Sequence, residues 1–318
     1  MAGAPRKASK TGATNAITAD LVAVLVAVSD GEPKIMTIAN DGSLPSGPFE
    51  FAHRSLQTGL RVWVEAQTGH PLGYVEQLYT FADRGRAGDT KSPHSISISY
   101  LGLTREDKVG AGFEAHWSGW YDYFPWEDQR SGLPALLSKT LASRLRAWSK
   151  TAATAGLQRE RWQRVAITFG LDEREWNEEL VLQRYELLYE AGLIPEAVRD
   201  GASAAAVIPG RPMSGDHRRI LATGIARLRA KIKYRPVVFE LMPAEFTLLQ
   251  LQRSVEALAG RLVHKQNFRR LIEQQQLVEE TGAIATETVG RPAKLFRFRH
   301  AVLAERAVAG TKLPLSRT

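Results

Sequence analysis

The chain has 318 residues, of which 44% are hydrophobic and 24% are charged. This composition is ordinary for a folded protein and excludes global disorder, and the length suits about two domains. The lack of cysteine excludes a disulfide scaffold and any thiolate metal site, and the seven scattered histidines lack zinc-ligand spacing. The longest apolar run, Leu21 to Val28, is much shorter than the roughly 20 residues of a membrane span, so no membrane contact is expected.

The net charge of +8 indicates a polyanionic partner. From Arg235 to the end there are 13 basic and 8 acidic residues, so this last quarter carries +5 of that charge. Residues 1–16 place Arg6, Lys7 and Lys10 among small and polar residues without a signal-peptide core, which predicts a disordered basic tail. The tail is either solvated or an arm that touches an anionic partner.

The first half of the chain is typical of a sheet. A helix is predicted over residues 55–65, where apolar residues recur at helical spacing until Gly69 ends the pattern. Loops are predicted over residues 44–51 and 83–90. Strands are predicted over residues 19–28, 34–38, 74–81 and 95–103, with an aromatic-rich last strand and its turn over residues 112–124.

The middle of the chain is predicted to be helical, with helices over residues 133–149, 157–169 and 173–191. A loop follows over residues 200–215. Residues 216–234 then form a strongly amphipathic pattern that Pro236 interrupts, which predicts one long helix.

The last part of the chain predicts a winged helix-turn-helix. Thr247 and Gln250 fit a capping box that starts a helix, and Gly260 ends it. A second helix over residues 264–275 follows, and then residues 277–278 and 292–298 predict a hairpin. Two helices separated by a short turn and followed by a hairpin have the order of that DNA-binding motif.

The second helix has the residues that a recognition helix needs. A helical wheel predicts that Phe268, Leu271, Ile272 and Gln275 form its buried stripe, with polar and basic residues opposite. Arg pairs with guanine edges, and Asn or Gln pairs with adenine edges. Hairpin cations are placed to meet phosphates, although a solvated basic helix remains the alternative. The predicted DNA-binding residues are Thr247, Lys265, Gln266, Asn267, Arg269, Arg270, Arg291 and Lys294.

Several segments resemble the NrtR family, the bacterial repressors of NAD metabolism. The segments that carry the resemblance are residues 216–220, 239–243 and 246–250, Asn-Phe-Arg-Arg at 267–270 and Gly-Arg-Pro-Ala at 290–293, with looser agreement over 73–81 and 97–101. The resemblance implies an α+β chain in which an N-terminal Nudix-like mixed sheet precedes a C-terminal winged helix. The helical middle segment is longer than the family leads us to expect. The resulting domains are the tail (1–16), a Nudix-like sensor and dimerisation domain (17–232) with a helical insertion over about 133–213, and a winged helix domain (233–318).

The resemblance also implies where a catalytic Nudix box would hold its metal. Such a box uses helical glutamates to bind Mg²⁺, which activates water for diphosphate cleavage. Alignment on Gly69 places Trp63, Ala66 and Gln67 at the glutamate positions. We therefore expect no metal, no catalytic residue and no enzyme activity.

For the family, the implied small molecule is ADP-ribose or a related NAD-derived nucleotide that acts as an effector, with no cofactor. His53, Arg54 and Gln67 are candidates to contact its phosphates, and Trp117, Trp120 and Tyr121 are candidates to stack on its adenine. Packing of these aromatic residues in a core or a dimer contact is the alternative.

The resulting expectation is a homodimeric repressor of NAD biosynthesis and salvage genes that binds a palindromic operator in double-stranded DNA. It would act in the bacterial cytoplasm, associated with the nucleoid. Two alternatives stay open: a Nudix-type hydrolase of nucleotide diphosphates, and a non-catalytic module whose winged helix binds protein.

Overall fold

The computed structural model describes residues 17–39, 42–83, 95–106, 110, 112–203, 207–285, 292–299 and 301. The predicted basic tail, most of the 83–90 loop and Arg291 lie outside the described residues. Among the described residues, no helix has the length and apolar character needed to span a bilayer. The strands are β1 (Thr18–Ser29), β2 (Glu32–Ile38), β3 (Ser46–Pro48), β4 (Tyr74–Phe81), β5 (Ser95–Leu103), β6 (Ala115–Gly119), β7 (Val278–Ala285) and β8 (Ala293–Phe298).

The helices cover most of the second half of the chain. They are α1 (Leu56–Thr68), α2 (Trp120–Tyr123), α3 (Ala142–Ser149), α4 (Ala155–Phe169), α5 (Val181–Glu190), α6 (Pro195–Arg199), α7 (His217–Ile232), α8 (Leu248–Ala259) and α9 (Lys265–Gln274). A π-helical turn over Leu136–Leu141 leads into α3, and a 3-10 turn over Val237–Leu241 precedes α8.

The N-terminal sheet is mixed, as expected, with strand order β4-β5-β1-β2-β6. The central strand β1 pairs parallel with β5 and antiparallel with β2, and the outer pairs are antiparallel. The prediction of a loop over residues 44–51 was wrong in part, because Ser46 to Pro48 pair with β1 as the short strand β3. Loop composition hid this strand, since Gly47 and Pro48 are poor strand formers.

Side chains of β1 alternate between two cores. Leu21, Ala23 and Leu25 are buried in a small cluster with Leu60 and Val64 of α1. Val22, Val24 and Val26 are buried on the other face in the larger cluster, which also contains the apolar face of α7. A Cβ added at Gly224 would lie 2.9 Å from the Val24 Cγ1 atom, so this glycine lets α7 approach the sheet closely.

The structure corrects the predicted boundaries at three places. The predicted helix over 173–191 begins at Val181, because Asp172 and Glu173 adopt positive φ angles of 53° and 64° that a helix does not allow. The predicted last strand over 112–124 covers only β6, after which the chain turns into the short helix α2. The predicted helix over 133–149 starts with the π-helical turn.

The C-terminal part has the predicted order of helix, turn, helix and hairpin. The capping box forms as predicted, with the Thr247 hydroxyl accepting from the Gln250 amide and the Gln250 side chain accepting from the Thr247 amide. Gly260 ends α8 in the left-handed conformation with φ 71°. Phe246 bridges to Phe296, which joins the start of α8 to the hairpin. The α+β fold class is confirmed.

Candidate nucleic-acid interface and candidate nucleotide site

Helix α9 presents most of the predicted DNA-binding residues on one element. Only Phe268 and Ile272 of this helix are buried, and they hold it against the winged-helix core. Because a short recognition helix needs an apolar back and a polar front, this arrangement suits insertion into a major groove. The exposed predicted residues of α9 are Lys265, Gln266, Asn267, Arg269 and Arg270.

The predicted buried stripe of this helix was wrong for two of its four members. Leu271 is 50% exposed and Gln275 is also exposed. Leu271 lines a largely apolar cavity of about 570 Å³ that lies between α9 and the chain after α7, where Tyr234 and Leu262 also line it. The wheel placed Leu271 correctly on the apolar side, but the neighbouring elements leave that side open.

The turn before α9 is fixed by a buried carboxylate. The Glu256 side chain of α8 accepts a hydrogen bond from the Val263 amide at 3.0 Å and one from the Gln252 side chain at 2.9 Å. Together with the left-handed Gly260, these bonds set the angle at which α9 leaves α8. No sequence rule for capping identified Glu256, because its partner lies across the turn rather than in the first turn of a helix.

The remaining predicted DNA contacts occupy different surroundings. Lys294 is exposed on the hairpin and pairs with Glu280 across it at 2.9 Å, and Arg297 pairs with Glu279 at 2.6 Å. Such exposed pairs contribute little stability, so a phosphate can compete for these cations. Thr247 is buried and its hydroxyl is used by the capping box. Arg291 lies outside the described residues.

The winged helix is docked on the N-terminal body through the carboxyl end of α8. The Tyr121 hydroxyl donates to the Ala257 carbonyl at 2.6 Å, and the Gln129 amide donates to the Gly260 carbonyl at 2.7 Å. The Arg229 guanidinium donates to the Leu258 carbonyl at 2.8 Å. Burial raises the pKa of the Tyr121 hydroxyl, which keeps it protonated as a donor. These bonds satisfy carbonyls that a helix end leaves unpaired.

A fully buried carboxylate lies at the centre of this contact. Glu127 accepts from Arg184 of α5 at 2.5 and 2.9 Å and from Arg229 of α7 at 2.6 Å. Arg184 also donates to the Thr168 carbonyl at 2.9 Å, at the end of α4. We call Glu127, Arg184 and Arg229 the buried triad. It connects the sheet domain, the helical middle, α7 and the winged helix, and none of its members was singled out from the sequence.

On the opposite face of the sheet, α1 bonds to β3 through two of the positions where the family resemblance implies glutamates. The Gln67 amide group both donates to the Ser46 carbonyl at 2.8 Å and accepts from the Ser46 amide at 3.0 Å. The Trp63 indole donates to the Pro48 carbonyl at 2.9 Å, and a Cβ added at Gly47 would lie 2.3 Å from its ring. Ala66 is exposed beside them.

His53 contacts the same end of α1. Its ring centroid lies 6.3 Å from that of Trp63, and its Nδ1 atom accepts from the Glu50 amide at 3.0 Å. Arg54 is exposed next to it. His53, Arg54 and Gln67 therefore remain near one another at the α1 face. Among the described residues, no group of three or more His, Asp or Glu side chains could hold a metal ion.

The three aromatic residues proposed to stack on an adenine do not share a surface. Trp117 on β6 packs with the α1-side cluster and lies edge-on to His70. Trp120 is completely buried in the larger core, on the other face of the sheet. Tyr121 packs against that core and bonds to α8, as described above. The geometry therefore favours the packing alternative for Trp120 and Tyr121, and only Trp117 stays on the face of α1.

Comparisons with known proteins agree with this architecture. Residues 238–298 match the model of the NrtR DNA-binding winged helix domain. A curated relative, the ADPR responsive transcriptional repressor NtrR of Acinetobacter baylyi, is 39% identical over 84 residues, which cover 26% of this chain. The matched region spans about a third of that relative, 33% of its length.

Solved structures match over most of the chain. NrtR of Shewanella oneidensis in complex with a 27mer DNA has a TM-score of 0.54 at 19% identity, covering 90% of this chain and 95% of that one. A MutT/nudix family protein from Enterococcus faecalis has a TM-score of 0.52 at 15% identity, covering 92% of this chain and 90% of that one. The fold of the whole chain is thus that of a Nudix-like sheet domain followed by a winged helix. The resemblance to the NrtR family is confirmed.

Proposed function

We propose that this chain is a transcriptional repressor of the NrtR type that binds operator DNA through α9. The observation that carries the proposal is the set of five exposed polar and basic side chains on α9, within a segment that matches the NrtR winged helix domain. Phe268 and Ile272 fix the back of this helix, so its front is free to enter a major groove. The target genes are those of NAD biosynthesis and salvage.

The protein acts as a homodimer on a palindromic operator, because one helix-turn-helix reads only a short half-site. Residues 17–232 form the sensor and dimerisation unit, with a helical insertion over about 133–213. Residues 233–318 form the DNA-binding unit, and residues 1–16 form a basic tail. The described part of the chain has no helix that could span a bilayer, which is compatible with a cytoplasmic place of action close to the nucleoid.

The N-terminal domain senses ADP-ribose or a related NAD-derived nucleotide without cleaving it. The curated relative is described as ADPR responsive, which supports this effector. The site at the α1 face comprises His53, Arg54, Gln67 and Trp117. The Nudix box lacks its metal-binding glutamates, and the bonds from Trp63 and Gln67 to β3 occupy two of the places where those groups would stand. Effector binding shifts the population towards a state in which the two α9 helices no longer match the half-sites.

A mobility-shift experiment tests this function directly. Promoter fragments of NAD-synthesis and salvage genes are titrated with the protein, with and without ADP-ribose. A shift that ADP-ribose relieves supports the ligand-gated repressor. A shift that ignores ADP-ribose keeps the DNA-binding function and removes the effector, and the absence of any shift at low salt favours a protein-binding module. Mg²⁺-dependent cleavage of ADP-ribose in the same samples would instead favour the hydrolase alternative.

A further inference from the structure

The helical segment that precedes α5 carries an unusual excess of positive charge. Residues 133–170 contain seven basic residues and a single acidic one, Glu160, so this short stretch has a net charge of +6. The whole chain has +8, and residues 235–318 contribute +5, so the remainder of the chain is net acidic. Positive charge is therefore concentrated in two segments, the winged helix domain and this one.

The positive side chains lie on the surface of α3, α4 and the preceding π-helical turn. Lys139, Lys150 and Arg159 are exposed and form no ion pair with an acidic group in the part of the chain that the structure describes. Arg146 lies 3.7 Å from Asp172, and Arg164 pairs with Glu190 on α5. A surface with such unbalanced charge repels itself, which a structural role alone does not require.

Tryptophan rings hold several of these guanidinium groups in place. Arg146 lies 3.2 Å from the ring centroid of Trp162, whose indole donates to Asp172 at 2.6 Å. Arg161 lies 4.7 Å from the ring centroid of Trp148. A stacked guanidinium keeps its in-plane N–H donors available for an anion, and its restricted rotamers reduce the entropy lost on binding. The geometry is suited to phosphate oxygens.

This surface belongs to the same packed unit as the turn before the recognition helix. The end of α4 is bonded to Arg184 of the buried triad, through the Thr168 carbonyl at 2.9 Å. The Asn177 carbonyl, in the loop after α4, accepts from the same arginine at 3.0 Å. The next residue of that loop, Glu178, lies 3.4 Å from Arg261 in the turn between α8 and α9. The positive surface is thus linked to the DNA-reading module by direct contacts.

We propose that the surface of α3 and α4 is a second, sequence-independent DNA contact, which binds phosphates of the duplex beside the half-site that α9 reads. The proposal rests on the proposed function, because it needs a duplex already positioned by the winged helix. Phosphate contacts of this kind raise affinity and fix orientation without reading bases. They would also explain why a helical insertion in this chain is so rich in arginine.

The test compares the salt dependence of DNA binding for two charge-matched variants. The test variant carries Lys150→Gln and Arg159→Gln. The control variant carries Arg105→Gln and Arg227→Gln, two exposed cations near the β4–β5 edge of the sheet. The probe is a 40-base-pair duplex centred on the operator selected by the wild-type full-length protein. Circular dichroism and thermal unfolding establish that both variants are folded.

Each lost phosphate contact lowers the slope of log Kd against log salt concentration by about 0.9, so the test variant is expected to lose about 1.8 while the control retains the wild-type slope. Hydroxyl-radical footprints of the test variant should lose protection of the flanking sugars and keep it at the half-sites. Equal slopes for the two variants, with unchanged footprints, would overturn the proposal. Loss of binding to anionic vesicles without any change on DNA would overturn it as well. If the wild-type protein binds no duplex, the proposed function itself fails.

Discussion

The guanidinium of Arg229 donates a hydrogen bond to the carboxylate of Glu127 at 2.6 Å, and both side chains are almost completely buried. Arg184 binds the same carboxylate, so one negative charge is shared by two positive ones in the interior. Removing ions from water is costly, and only well-formed bonds on every side offset that cost. The triad is therefore a point where the four packed parts of the chain depend on one another.

Replacing Glu127 by Gln should strongly destabilise the fold, because two buried guanidinium groups would lose their counter-charge. We expect a loss of about 3–5 kcal/mol in the free energy of unfolding, measured by urea denaturation. Glu32→Gln is the matched control, since Glu32 pairs with Arg130 at the surface with 54% of its side chain exposed. That change should cost less than about 1 kcal/mol. Similar losses for the two variants would contradict the importance of the triad.

Gly260 is the second residue on which docking of the winged helix depends. A Cβ added there would lie 2.3 Å from the Glu127 carbonyl oxygen and 2.9 Å from the Tyr121 hydroxyl. Gly260→Ala combines the strain of a positive φ with a clash against backbone, so we expect it to destabilise the protein by more than about 2 kcal/mol.

The matched control for this prediction is Gly282→Ala in β7. Gly282 also has a positive φ, 82°, but nothing lies within 4 Å of an added Cβ. Its substitution should show the cost of backbone strain alone, about 1 kcal/mol. Thermal unfolding of the two variants separates strain from contact, and an equal loss of Tm would mean that the end of α8 is not tightly docked.

Local patterns were sufficient to predict most of the elements from the sequence. The alternation of β5, the capping box of α8 and the glycine at the end of α1 all depend on residues that are neighbours in the chain. The order of elements then predicted the winged helix. The short strand β3 was missed because its pairing with β1 is decided by tertiary contact, which overrides the low strand propensity of its residues.

The functional residues were predictable to different degrees. The exposed side of α9 followed from a helical wheel, whereas the buried triad has no local signature, since Glu127 and Arg229 are 102 positions apart. Aromatic residues in one short stretch also misled the prediction of an adenine site. Trp117 lies on β6 and Trp120 on α2, so a change from strand to helix within three residues turns them to opposite faces of the sheet.

Arg270 is expected to read a base. It is exposed on α9, and Arg270→Ala should weaken binding to the selected operator by about 1–3 kcal/mol while relaxing preference at one base pair. Lys294→Ala is the comparison, since a hairpin cation that meets phosphates should weaken binding to operator and scrambled duplexes alike. Fluorescence anisotropy on both duplexes measures the difference. An unchanged affinity of the Arg270 variant would remove this residue from the DNA contacts.

Restoring glutamates at Trp63, Ala66 and Gln67 should not restore hydrolysis. Trp63 and Gln67 bond to the backbone of β3, so their replacement by carboxylates removes those bonds and places like charges together. We expect no Mg²⁺-dependent release of AMP from ADP-ribose by the triple variant, measured by chromatography. Gln67→Ala controls for the loss of the bonds to Ser46 alone. Efficient turnover by the triple variant would show that the rest of a catalytic site has been retained.

Glu178 should make the stability of the chain depend on acid pH. Burial raises the pKa of this carboxyl, but hydrogen bonds from Lys233 and its own backbone, and the charge of Arg261, leave the pKa below its usual value. A carboxyl whose pKa is lower in the folded state stabilises the fold at neutral pH, and this contribution disappears as the pH falls through the folded-state pKa. Wild type should therefore be more stable than Glu178→Gln at pH 7, and the difference should shrink towards pH 3, as measured by urea unfolding. The same substitution at Glu160, an exposed carboxylate of α4, should give a small difference at both pH values. A pH-independent difference for Glu178→Gln would mean that its side chain acts through packing and not through its charge.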